Sequence, residues 1–200
     1  MPKVNQAHLD QRRQLILDAA GACFAREGFQ RTTMRDIIQQ AGVSAGGIYG
    51  YFGSKEDIIA AIAAGRHARE AELIDAAARV EIGQGIDMLL KAFLGSLGDP
   101  AERGGRRLGI QLWAEALRSP ASMAMVREGL DAPRLKLARL IEGAQARGEL
   151  SAALDPYAAS RAVIALFHGL VLQLAWDDTL EVEPLLPIME AAVRAVLGLA

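Results

Sequence analysis

From Leu9 to Arg26 the apolar residues Ile16, Ala19, Ala20, Cys23 and Phe24 share one face of a helical period, with Gln, Arg and Asp on the other. The pattern predicts an amphipathic helix. It is expected to stop at Gly28, a residue that accepts the left-handed conformation of a helix C-terminus, with Phe29 as the apolar latch. A second helix starts at Thr33, whose hydroxyl can cap free amides while Asp36 completes a capping box, and Ile37, Ile38 and Ala41 face inward. Gly42 ends it, Val43 plugs the turn, and Ser44 caps a short third helix through Ile48, Tyr49 and Phe52. Ser54 with Asp57 reads as another capping box, opening a long helix through Ile58, Ile59 and Ile62 to about Arg79.

Beyond Gly83 the chain reads as five more helices, over 84–97, 104–118, 120–147, 156–176 and 184–198. Asp155-Pro156 supplies a capping acceptor ahead of a proline suited to the first helical position, and Gly148 closes the segment before it. Pro133 is expected to kink or split the 120–147 helix. There is no internal repeat or low-complexity linker. Alanine and leucine dominate the apolar residues, aromatics are 5%, and no Val/Ile/Tyr alternation marks a strand. The reading is therefore all-α, an N-terminal three-helix unit over residues 1–54 and a larger helical unit over 55–200.

A chain of 200 residues can bury a substantial core without disulfides, and its one cysteine, Cys23, lies on a core-facing stripe. The start, MPKVNQAHLDQRRQ, is polar and lacks the apolar stretch of a secretion signal, so a cytoplasmic location is expected. The longest apolar run, Ala162 to Trp176, is interrupted by His168 and Gln173 and falls short of the ~20 residues that cross a bilayer. It is read as a buried helix, and no membrane partner is expected.

Net charge is −2, with seven Lys/Arg against six Asp/Glu in residues 1–60 and fifteen against eighteen in the rest. Any nucleic-acid contact must then depend on where a few cations and helix ends point, because no strongly basic field exists. The histidines His8, His67 and His168 are far apart without ligand-like spacing, and no glycine-rich loop follows a strand. No catalytic residue, cofactor or metal site is expected, and the protein is not read as an enzyme. Arg103-Gly104-Gly105-Arg106-Arg107 is basic but single and without aromatics, and reads as a solvated loop.

The run Thr33 to Ser44, with Gly42-Val43-Ser44 at the turn, is followed by Gly47-Ile48-Tyr49-Gly50-Tyr51-Phe52 and by Ser54-Lys55-Glu56. This constellation resembles the DNA-binding domain of the TetR/AcrR family, over about residues 10–60. Physically, a short helix held across a tight turn can lie in a major groove with its first residues at the base edges. Thr33 and Lys55 at helix N-termini and the Tyr51 phenol can hold phosphates, with Arg35 beside them. In the family, positions matching Ser44, Ala45, Gly46, Gly47, Tyr49 and Gly50 face the groove. The chain departs from the family in lacking the lysine often found at Ala45 and in having Gly50 for a larger side chain. Reading is then expected to rest on Tyr49, close backbone approach and DNA shape.

The resemblance implies an N-terminal helix-turn-helix domain plus a helical ligand-binding and dimerisation domain, in a repressor that meets a palindromic double-stranded operator as a homodimer and is released by a small molecule. The stripes Val163, Phe167, Leu170, Leu174 and Leu185, Ile188, Met189, Ala192, Val196 are expected at the dimer interface, with subunit core as the alternative. A pocket for a largely apolar effector is expected among Met88, Phe93, Leu112, Trp113, Met123, Val126 and Phe167, with Gln111, Glu115, His168 and Gln173 as polar contacts. The rival reading is a helical ligand-binding dimer that does not bind DNA.

Overall fold

Helix α1, Gln6–Glu27, carries two exposed i,i+4 pairs on its polar face, Gln6 donating to Asp10 at 3.1 Å and Gln14 to Asp18 at 2.8 Å. The computed structural model describes residues 6–98, 103–118, 120–177 and 179–199. Within them follow α2 (Met34–Ala41), α3 (Ala45–Tyr49), α4 (Lys55–Ala77), α5 (Ile82–Leu97), α6 (Arg103–Ala116), α7 (Pro120–Ala146), α8 (Pro156–Trp176), a 3-10 turn (Glu183–Leu185) and α9 (Leu186–Leu197), with no strand among the described residues.

The helix ends follow local chemistry. Gly28 takes φ +80° and its N–H returns to the Phe24 carbonyl at 2.8 Å, while the Phe24 and Phe29 rings pack with centroids 5.4 Å apart. Thr33 and Asp36 form the reciprocal capping box, and Gly42 ends α2 at φ +64°. At Ser54 only half of the expected box forms. Its hydroxyl accepts from the Asp57 N–H at 3.1 Å, but the Asp57 carboxylate reaches one residue further back, to the Gly53 N–H at 3.0 Å. Helix α5 starts earlier than its pattern suggests because Glu81 caps the Gly83 and Gln84 amides, a task more often given to Ser, Thr, Asp or Asn. Pro133 does not split its helix. Helix α7 runs unbroken through it, and packing against α4, α6 and α8 offsets the one backbone bond the ring removes.

Two apolar clusters result. The first joins Ile16, Cys23 and Phe24 of α1 with Ile37 of α2, Ile48 of α3, Phe52, Ile58 and Ile59 of α4, and Leu108 of α6. The second joins Ile74 and Ala77 of α4 with α5, α7, α8 and α9. Helix α4 therefore contributes its first turns to one core and its last turns to the other. Helix α8 is long and apolar enough to cross a membrane by length and composition, a longer run than the sequence reading gave it. Its buried residues Val163, Leu170 and Leu174 nevertheless pack in the second cluster, as in the core helix of a bundle.

Of the two readings of the apolar stripes, subunit core describes Val163, Leu170 and Leu174. Val163, Leu170 and Leu174 are 3–6% exposed inside the subunit, because the α8 stripe faces its own core. Leu185, Met189 and Val196 are half-buried against the same cluster, and Ala192 is also half-buried. Ile188 is 64% exposed and, with Trp176 at 67%, marks the apolar surface of α8 and α9.

The backbone makes a paired prediction. Gly42 has open space where a Cβ would stand but a left-handed φ, whereas Gly95 is exposed in the last turn of α5 with equal room. By denaturant unfolding, Gly42→Ala is expected to cost about 1–2 kcal/mol and Gly95→Ala, in the last turn of α5, to gain up to about 0.5 kcal/mol. Equal effects of the two changes would show that the α2 turn is not held in this conformation.

Candidate nucleic-acid interface and internal cavity

The turn between α2 and α3 is fixed by hydrogen bonds before any side chain is considered. The Val43 N–H donates to the Ile38 carbonyl at 3.4 Å, and Ser44 Oγ accepts from the Gly47 N–H at 3.1 Å. Ile48 is fully buried and Phe52 is 5% exposed, so α3 can sit on the first cluster in only one rotation. That rotation leaves Ser44, Ala45, Gly46, Tyr49 and Gly50 exposed and Gly47 half-buried. A Cβ at Gly46 would meet nothing within 4 Å, so the outer face of α3 is bare apart from Tyr49, which is 54% exposed.

Around this face stand the groups expected to hold phosphates. Thr33 and Arg35 are exposed, and Tyr51 is half-buried against the first cluster. The Asp36 carboxyl beside them is held below its ordinary pKa, first by the Thr33 hydroxyl and then by the Thr33 backbone N–H. Lys55 is placed differently from the expectation. Its ammonium donates to the carbonyls of Phe29 at 2.8 Å, Gln30 at 3.2 Å and Thr32 at 3.2 Å, and it lies 4.6 Å from the Phe29 ring centroid. All three ammonium protons have protein acceptors, so the residue acts here as a clamp between α4 and the α1–α2 loop.

One residue at this face was missed. Arg12 of α1 brings its Nη2 to within 3.7 Å of the position a Gly47 Cβ would occupy, so a guanidinium lies beside the bare start of α3. The contact joins residues far apart in the chain, and only the polar face of the α1 period hinted at it.

Behind this head lies a cavity of about 690 Å³, within the size range of small-molecule sites. Phe93, Leu112, Trp113, Val126, Phe167 and His168 line it as expected. Met88 is 45% exposed, because the cavity takes Ile86, Leu89, Leu90 and Phe93 of α5 and turns Met88 outward. Met123 is half-buried but is not on the wall. Gln173 is exposed, since the α8 positions facing inward are Val163, Ile164, Phe167, His168 and Val171. Gln111 serves elsewhere, accepting from the Phe29 N–H at 3.4 Å and packing on Gly28. The Glu115 side chain lies outside the described residues.

The wall also carries Arg66, His67 and Glu70 of α4 and Arg106 of α6, and the stretch 103–107 expected as a solvated loop is instead the start of α6, with Arg106 only 4% exposed because it packs on the helices around it. The Trp113 and His168 rings lie 4.9 Å apart between centroids, and the Phe93 and Phe167 rings 5.8 Å. Helix α6 touches both regions. Leu112 and Trp113 face the cavity, while Gln111 holds the α1–α2 loop and Gly104 packs against Ala25 of α1, where any Cβ would approach to 2.5 Å. Among the described residues no group of three or more His, Cys, Asp or Glu is placed to hold a metal ion.

Residues 16–62 match the family described as bacterial regulatory proteins, tetR family, and residues 86–198 match the BetI-type transcriptional repressor C-terminal family. The chain belongs to the TetR family and is a transcriptional regulator of that class. It is 38% identical over 82 residues to the HTH-type transcriptional repressor AcnR of Corynebacterium diphtheriae, a match covering 41% of this chain and 43% of that one. The match to the uncharacterized HTH-type transcriptional regulator YfiR of Bacillus subtilis is 47% over 57 residues, or 28% of each chain. These matches thus span less than half the length of either relative. The HTH-type transcriptional regulator UidR of Escherichia coli is 28% identical over 173 residues, 86% of each chain. Salmonella enterica GusR shares the fold with a TM-score of 0.77 and 24% identity, covering 98% of this chain and 100% of that one. FadR of Bacillus subtilis, solved in complex with stearoyl-CoA, shares it at 0.74 and 19%, covering 92% and 97%.

The His168 imidazole carries a testable signature. Burial, and secondarily the Arg66 charge, press its pKa below the ordinary value, so it is neutral at pH 7. Proton NMR of the ring is expected to titrate below the range of a free imidazole, and Arg66→Gln to move the midpoint upward because it removes a repelling cation. A midpoint at or above that range would place His168 outside the cavity wall.

Proposed function

We propose that this regulator is a repressor, binding a palindromic operator as a homodimer and leaving it when a small molecule enters the cavity. The observation that carries the reading is the reading head itself: a short helix with a bare outer face and one exposed tyrosine, on its own core, tied to a cavity wall by α4 and α6. Three small residues let the α3 backbone approach base edges closely, Tyr49 supplies contact to bases, and DNA shape supplies the rest of the selectivity. Thr33, Arg35 and Tyr51 hold phosphates, Arg12 joins them, and Lys55 sets the angle of the head. Dimerisation uses the outer face of α8 and α9 around Ile188, so that two heads reach grooves about 34 Å apart or a multiple of it. A ligand that prefers a displaced α4 would couple to DNA by about 1–3 kcal/mol, or roughly 5- to 150-fold in affinity.

The second reading, a ligand-binding dimer without an operator, is favoured by the net charge of −2 and the absence of cations from α3 itself. Selection of bound fragments from random duplex DNA separates the two. Recovery of a palindrome is expected, relaxed in sequence by Tyr49→Ala. Lys55→Met is expected to weaken binding while leaving its salt dependence unchanged, whereas loss of a phosphate contact would reduce the slope by about 0.9. No enriched sequence at low salt from a folded dimer would establish the second reading.

A further inference from the structure

The cavity wall holds a charge pattern that the apolar pocket expected from the sequence does not explain. Arg66 gives its Nε–H to Glu70 Oε1 at 3.2 Å, an i,i+4 pair that uses one edge of the guanidinium. Among the described residues neither of its Nη groups has a protein acceptor, and the side chain, 42% exposed, lines the cavity where solvent reaches it. A guanidinium edge with two parallel N–H groups matches the two oxygens of a carboxylate. The Trp113–His168 ring pair lines the same cavity.

Of the charged residues on the wall, Arg69 and Asp18 are exposed, while Arg66 and Glu70 are half-buried. The rest of the wall near this pole is apolar and ringed, with Phe93, Phe167 and Trp113 able to pack flat surfaces.

We infer that the cavity takes a carboxylate with an apolar, ring-bearing body, its carboxylate paired with the Nη edge of Arg66. The inference rests on the reading of this cavity as the effector site and names the chemistry of the effector. It also gives the ligand a direct grip on α4, since Arg66 lies eleven residues after Lys55, or roughly 16 Å along the same helix.

The test uses a pair of probes with one body and two heads, 2-naphthoate and 2-naphthamide, titrated calorimetrically into the full chain at pH 7. The carboxylate is expected to bind one per chain and at least about tenfold tighter than the amide. Arg66→Gln is expected to remove that preference while leaving the amide unchanged, and Arg66→Lys, which keeps the charge but loses the fork, to leave an intermediate ratio. Circular dichroism of each variant checks that it folds. Amide binding as tight as the carboxylate, failure of the carboxylate to bind, or a preference surviving Arg66→Gln in a folded protein would each overturn the inference. An operator fragment recovered by selection separates this outcome from the wider reading. Naphthoate that binds through Arg66 yet leaves operator affinity unchanged sinks the effector role and keeps the site, whereas failure of the preference leaves operator binding untouched.

Discussion

Helix α4 belongs to two cores at once, and most of what this protein can do depends on that. Ile58 and Ile59 are buried with the reading head, while Ile74 and Ala77 are buried with the helices around the cavity. A helix buried at both ends against different partners behaves as a lever, because tilting it must disturb one core or carry the head along. The Lys55 ammonium fixes the near end of that lever. Three backbone carbonyls of the α1–α2 loop surround it, so the entry to α2 follows α4 directly. Helix α6 makes a parallel tie through Gln111 and through the Gly104–Ala25 approach, where a glycine is needed because no side chain would fit.

The bare face of α3 then has a physical rationale. A recognition helix rich in cations binds many sequences and draws on the phosphate field for affinity. This one carries no Lys or Arg between Ser44 and Gly50, so its affinity has to come from groups around it and its selectivity from fit. A head of that kind is sensitive to placement, since small changes in approach alter close backbone contacts more than they alter long-range charge attraction. In the proposed mechanism, control of placement by α4 and α6 is what switches it.

Much of the fold was legible in local sequence. Helix ends at Gly28, Gly42 and Gly148 and caps at Thr33, Ser44 and Asp155 depend on residues within a few positions of one another, and the structure forms them. Features set by distant contacts were not legible. Lys55 sits at a helix start, where a phosphate would also be attracted, and nothing nearby in sequence shows that its long side chain folds back onto residues 29–32. Met88 and Gln173 lie on cavity-forming helices but at the wrong angle, which only the packed helix rotation decides. The α8 stripe shows the same limit, because a periodic apolar face looks alike whether it meets its own core or a second subunit. Arg66 and Glu70 drew no attention in sequence, because nothing local shows that α4 lines the cavity at that point.

Native-state hydrogen exchange along α4 tests the shared-helix account most directly, comparing the amides of Ile62 and Ile74 under increasing denaturant. The account predicts that both open with the same free energy and the same denaturant dependence, because the helix links two cores into one cooperative unit. Early exchange at Ile62 and in α2 and α3, with Ile74 still protected, would show a head that unfolds on its own and would contradict it.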